Sequence, residues 1–155
     1  MTQQYGMIYI ASDHAGFARK HALVVALRQA GWTVTDLGPQ ELVSADDYPA
    51  YAFAVAERVA ADAASRGILL CANGVGMTIA ANKVPRIRAG LAWSTDVARS
   101  MREDDDANVL CVPAKHRDDA EVLEITTTWL DTPFSGVERH VRRIGQIRQY
   151  EEQRG

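Results

Sequence analysis

Short apolar runs alternate with longer amphipathic stretches along the whole chain. Residues 7–11 form a compact apolar run and read as a first strand, with residues 12–16 as a polar loop after it. Residues 17–30 carry apolar side chains at helical intervals, and Gly31 supplies a stop. Residues 32–37 alternate and are rich in β-formers, which makes a second strand turned by Gly38-Pro39. Pro49 suits a helix's first turn, and the alanine-rich residues 51–64 continue it. Residues 67–71 are a third strand, 88–93 a fourth and 108–112 a fifth. Ser94 or Thr95 caps the helix that runs to Met101, Asp118 with Glu121 makes a capping box for the next, and Ser135 with Glu138 a second box for a charged terminal helix of about 135–153.

Five strands alternating with helices predict an α/β domain in which a parallel sheet is covered on both faces. Ligands of such sheets collect beyond the carboxyl ends of the strands. That edge gathers Asp13 and His14 after strand one, Cys71 to Gly76 after strand three, and Ser94 after strand four.

The stretch 67–83, GILLCANGVGMTIAANK, carries the strongest candidate chemistry: a buried strand, a glycine loop and a helix start. Glycines let backbone approach a ligand, and a helix start offers free N–H groups to a phosphate or oxyanion. Cys71 stands where strand meets loop, where a thiol can act as base or nucleophile. The plainer reading makes the glycines a turn and Cys71 a small buried hydrophobe.

Composition narrows the classes. The 155 residues suit one domain with a proper core, and a net charge of -3 gives no pull toward nucleic acid or anionic membrane. No signal-like or membrane-spanning apolar run is present, and no Cys/His spacing suits a metal. Cys71 and Cys111 read as free thiols of a cytoplasmic protein, Cys111 in the core.

Several signatures occur in one order: Ser12-Asp13-His14-Ala15-Gly16, Asp47-Tyr48-Pro49, residues 71–83, Asn108-Val109-Leu110 and Arg139-His140-Val141-Arg142-Arg143. In these the chain resembles the ribose-5-phosphate isomerase B family, which includes the galactose-6-phosphate isomerase subunits. The resemblance implies a Rossmann-like three-layer sandwich with a five-stranded parallel sheet. It implies aldose–ketose isomerisation of sugar phosphates through a cis-enediolate, without metal or nucleotide. It also implies a homodimer or homotetramer with active sites shared between subunits, the terminal helix packing on a partner.

Carried over residue by residue, Cys71 matches the base that moves the carbon-bound proton. Ala72, Asn73, Gly74, Val75 and Gly76 match the loop whose amides hold the enediolate oxygens. Ser12 and Asp13 match sugar contacts, and His14 either contacts phosphate or orders its loop. Arg139 and Arg143 match phosphate ligands; as i and i+4 on one helix face they suit a dianion, or else form a solvated basic face. His140 beside them has a less definite role, and His21 reads as a surface helix residue. Met77 stands where another branch of the family has its glutamate base, which leaves Cys71 as the group of the right type.

The pattern departs at Asp104 and Asp105, where the family carries a ring-opening histidine followed by asparagine. Asp104 acts as the acid with a crowded carboxylate pKa, or the acidic run is a solvated loop, or ring opening is not required. The last reading fits a tetrose 4-phosphate such as erythrose 4-phosphate, whose O4 is esterified and cannot close a ring. Lys115 replaces an arginine, keeping charge without the bidentate fork, and Asn73 replaces a threonine. Ribose 5-phosphate is the expected substrate; a non-catalytic sugar-phosphate-binding subunit is the alternative of another class.

Overall fold

The computed structural model describes residues 6–155. Five strands form one parallel sheet: β1 Ile8–Ser12, β2 Val34–Asp36, β3 Arg66–Cys71, β4 Ala89–Leu91 and β5 Val109–Pro113, in the order β2-β1-β3-β5-β4. The helices are α1 Phe17–Gln29, α2 Tyr48–Ala61, α3 Val75–Ala81, α4 Thr95–Asp105, α5 Asp119–Asp131 and α6 Glu138–Arg154. The predicted α/β class and five-stranded parallel sandwich are therefore observed.

Alternation along the strands assigns the two faces. Ile8, Ile10, Ile68, Leu70, Leu110 and Val112 point toward the face that packs Leu23, Leu27, Met101, Ile125 and Trp129 of α1, α4 and α5. Leu69, Cys71, Val109 and Cys111 point the other way, against Val55, Ala56, Met77 and Ala81 of α2 and α3. The central strands β3 and β5 are covered on both sides, which is why they read as continuous apolar runs rather than alternating ones.

Two buried cations pin the ends of this sandwich. Lys20 of α1 is fully buried and donates to both Asp36 oxygens (2.9 and 3.0 Å) and to the Pro39 carbonyl (2.6 Å), which ties α1 to the end of β2. Removing one partner of such a pair leaves a buried charge uncompensated, at a cost of about 3–5 kcal/mol. Arg102 of α4 donates to the carbonyls of Thr132 (3.1 Å) and Ala107 (2.7 Å) and to Asp106 (2.9 Å), fixing the turn that leads into β5.

The boundaries differ from the sequence reading in physical ways. Residues 14–16 form a single 3-10 turn rather than open loop, because Asp13 Oδ1 accepts from the amides of Ala15 and Gly16. Strand two shrinks to three residues, the length over which it pairs with Ile8 to Ile10. Helix α4 runs on to Asp105, with Ser94 as its cap, and so includes Asp104 and Asp105. The Asp118 cap forms, its Oδ1 accepting from Glu121 N–H at 2.8 Å, while the Glu121 carboxylate lies 3.6 Å from Arg117 Nε. The second capping box does not form: Val137 is the N-cap of α6, and Ser135 Oγ instead accepts from Val137 N–H and lies 3.0 Å from His140 Nδ1.

Candidate active site

The chain reverses its direction of growth across the sheet at β1, between β2 on one side and β3 on the other. A crevice opens beyond the carboxyl ends of β1 and β3 at such a switch point. Ser12 ends β1 opposite Leu70; its hydroxyl is fully buried and has no partner within the described residues. Asp13 N–H donates to the Leu70 carbonyl at 3.3 Å, and its Oδ1 is used by the 3-10 turn. His14 follows, 42% exposed, with Nδ1 2.9 Å from Asp46 Oδ1, which also accepts from the His14 backbone N–H at 2.9 Å. Asp46 Oδ2 accepts from Tyr51 OH at 2.9 Å.

Beside this loop β3 ends at Cys71, whose side chain lies on the α2/α3 face with Ala11 and Met77 and is only 4% exposed. Its carbonyl accepts from Ala114 N–H, and the Ala72 carbonyl accepts from Lys115 N–H, both at 2.9 Å, so the segment after β5 lies alongside the glycine loop. Asn73 Oδ1 accepts from Val75 N–H at 3.0 Å, and Thr78 Oγ1 donates to the Gly74 carbonyl at 2.8 Å. These bonds lock the loop and leave the first-turn amides of α3 without intrahelical acceptors. The second thiol, Cys111, is fully buried, and burial pushes it up to about 12, so it is a core residue.

Two glycines make that geometry possible. Gly74 has φ +77°, and a Cβ there would strike Leu91 Cδ1. A Cβ on Gly76 would meet the Tyr48 ring at 2.5 Å, so the ring lies directly on the helix start. Gly74→Ala is expected to destabilise the fold by about 1–3 kcal/mol, from left-handed backbone strain together with overpacking. Urea denaturation of the variant checks this.

The other expected site residues lie on the opposite edge. Asp104 and Asp105 end α4 just before β5, where Arg88 Nε, at the start of β4, donates to the Asp105 carbonyl at 3.0 Å. Helix α6 crosses this amino edge: Arg86 N–H donates to Glu151 at 2.8 Å, and His140 Nε2 lies 3.6 Å from Asp104 Oδ1. Arg139 and Arg143 are exposed, and neither guanidinium has a partner among the described residues. Burial, reinforced by the Asp104 charge, raises the Asp105 pKa. The six residues of β3 separate the two edges by about 16 Å. One chain therefore brings together Ser12, Asp13, His14, Cys71, Ala72, Asn73, Gly74, Val75, Gly76 and Lys115, and does not bring Asp104, Asp105, Arg139 or Arg143 to them.

The sequence profile of the Ribose/Galactose Isomerase family matches residues 8–147, which is nearly the whole chain. The chain belongs to that family. It is 41% identical over 144 residues to ribose-5-phosphate isomerase B of Mycolicibacterium paratuberculosis, covering 93% of this chain and 91% of the relative. Ribose-5-phosphate isomerase B of Mycoplasma genitalium, solved with bound ribulose-5-phosphate, superposes with a TM-score of 0.91 at 41% identity, covering 94% of this chain and 96% of that one. The Clostridium thermocellum ribose-5-phosphate isomerase B gives a TM-score of 0.92 at 37% identity, covering 97% and 100%.

In this member of the Ribose/Galactose Isomerase family the structure adds Asp46, Tyr48 and Tyr51 to the carboxyl edge. Asp47-Tyr48-Pro49 was visible as a signature, but the Tyr48 contact with Gly76 joins segments that no local pattern connects. Asp46 reads in sequence as part of a polar loop; its bonds to His14 span 32 positions. Among the described residues no group of His, Cys, Asp and Glu is placed to hold a metal ion, and no helix is long and apolar enough to cross a membrane.

Proposed function

We propose that this chain interconverts ribose 5-phosphate and ribulose 5-phosphate through a cis-enediolate, as a cytoplasmic homodimer or homotetramer. The reading is carried by the family match over residues 8–147 together with a solved relative, alike at a TM-score of 0.91, that holds ribulose-5-phosphate. Two free thiols suit a reducing compartment.

In the proposed reaction the Cys71 thiolate removes the proton from C2 of the open-chain aldose. The C2–H electrons form the C1–C2 double bond, and the carbonyl electrons move onto O1. Amides of the 72–76 loop other than that of Val75, which Asn73 Oδ1 holds, donate to the oxygens as charge develops, and each such donor is worth about 10²–10³ in rate. The Cys71 thiol then returns the proton to C1 while the proton on O2 passes to O1, leaving the ketose. Ser12 and Asp13 hold sugar hydroxyls, the buried, unpartnered Ser12 hydroxyl being a ready donor. Lys115 lies beside the Ala72 carbonyl and adds positive charge to the same edge.

The amino edge of a second copy completes the site in this reading. Arg139 and Arg143, one turn apart on α6, take the phosphate dianion. Asp104 with Asp105 meets the sugar ring, and Asp104, as the acid, gives its proton to the ring oxygen while the anomeric hydroxyl proton passes to solvent and the ring opens. A second reading follows from those carboxylates standing where the family has histidine and asparagine: a substrate that cannot cyclise, such as erythrose 4-phosphate, needs no ring opening.

The test is turnover by the purified chain of four-, five- and six-carbon aldose phosphates. Efficient use of ribose 5-phosphate with tetrose phosphates inert supports the first reading. The reverse supports the second. Binding of sugar phosphates without turnover of any would mean a non-catalytic subunit.

A further inference from the structure

The His14 ring is held by contacts that the proposed proton transfer does not use. Its Nδ1 lies 2.9 Å from Asp46 Oδ1, and the same oxygen accepts the His14 backbone N–H at 2.9 Å. One carboxylate oxygen thus fixes both ring and backbone. The other oxygen takes the Tyr51 hydroxyl from α2 at 2.9 Å, so the carboxylate cannot rotate without breaking two elements' contacts. The Asp46 side chain is 8% exposed whereas the His14 side chain is 42% exposed. The network is buried at the carboxylate and open at the imidazole. With Nδ1 engaged, Nε2 has no partner among the described residues and is the nitrogen left for a ligand.

We propose that Asp46 and Tyr51 are positioning residues that hold His14 with Nδ1 turned inward and Nε2 presented to the phosphate of the sugar substrate. This rests on the carboxyl-edge site proposed above, with His14 as its phosphate contact, and adds the two residues that orient the ring. A neutral imidazole with Nδ1 bonded to a carboxylate carries its proton there and offers Nε2 as an acceptor, which repels a phosphate oxygen. Only the doubly protonated ring donates from Nε2 while keeping the Asp46 bond.

The electrostatics point the same way. The hydrogen bond to Asp46 raises the His14 pKa; desolvation opposes it, and the charges of Asp13 and Asp46 add to the rise. Burial pulls Asp46 up, but the bonds from His14 and Tyr51 outweigh it and hold its carboxyl below the ordinary range. Burial, then the bond to Asp46, raises the Tyr51 phenol, so Tyr51 remains a donor. Asp13, Asp46 and Tyr51 are the groups acting on the pair from the 3-10 turn, the loop before α2, and α2 itself. The sign is direct: a raised pKa keeps the imidazolium to higher pH, and phosphate binding weakens as pH climbs through it.

The experiment is an NMR titration of His14, assigned with His14→Gln, in the wild type, Asp46→Asn and Tyr51→Phe, each alone and with saturating ribose 5-phosphate. KM and kcat are followed over the same pH range. In the wild type the His14 midpoint lies above the ordinary histidine value, and ribose 5-phosphate raises it further, because ligand and proton binding are reciprocal. Asp46→Asn keeps the shape and removes the charge. Its midpoint falls, and its KM above neutral pH rises roughly tenfold or more while kcat at low pH changes little. Tyr51→Phe shifts both in the same direction by less. A wild-type midpoint that the sugar phosphate leaves unmoved, or an Asp46→Asn KM profile that overlays the wild type, overturns the proposal. The titration needs no turnover, so loss of the isomerase reading shows separately, as absence of activity with every aldose phosphate.

Discussion

Cys71→Ala is expected to lower kcat for ribose 5-phosphate by about 10²–10⁴-fold, the range for loss of a positioned acid–base group. KM should stay within a few-fold. The thiol sits at the end of β3 with a 4% exposed surface, so its truncation removes little that could bind the phosphate or the sugar hydroxyls. The fold should lose only about 1 kcal/mol or somewhat more, for one small buried group. Met77, fully buried below the loop, cannot accept a proton in its place. Steady-state kinetics with a calorimetric measure of sugar phosphate binding separate the outcomes. Equal activity of variant and wild type would remove the thiol from the mechanism. Loss of binding together with turnover would make Cys71 a structural residue of the loop.

The second large effect is complementation between two inactive proteins. Cys71→Ala damages the carboxyl edge, and the double variant Arg139→Ala, Arg143→Ala damages the amino edge. If each site takes one edge from each of two copies, a mixed dimer holds one site with both defects and one with neither. Random exchange makes about half of all dimers mixed, so about a quarter of wild-type activity should return on mixing. Each variant alone should fall well below that, the arginine variant through KM, because two charge-assisted phosphate contacts are lost. Mixing that returns no activity, with subunit exchange verified by mass, would confine the site to one chain. The geometry argues against that outcome, since α6 lies across the starts of β3, β4 and β5 while Cys71 lies at the far end of β3.

Much of the fold was legible in order and kind. Each strand and main helix follows from hydrophobic period and punctuation, as with Gly31 at φ +95° after α1 and the Asp118 cap of α5. What misled was local chemistry claimed by a distant partner. Ser135 and Glu138 have capping-box spacing, but the Ser135 hydroxyl is drawn to His140, so the box is absent. Strand two reads as six residues and pairs over three, because a strand's length is set by its neighbour's register as much as by its own propensity.

The candidate site divides the same way. The sequence by itself determined the family, the parallel α/β architecture and the Cys71 loop, because strand, glycine turn and helix start are consecutive and their physics is local. It also exposed the odd carboxylates Asp104 and Asp105. Only the tertiary structure decided that Cys71 and Arg139 occupy opposite edges of the sheet, that Tyr48 covers Gly76, and that Asp46 holds His14. Those relations join segments tens of residues apart. They are fixed by strand order and by which face each side chain buries, and neither is written in the spacing of neighbouring residues.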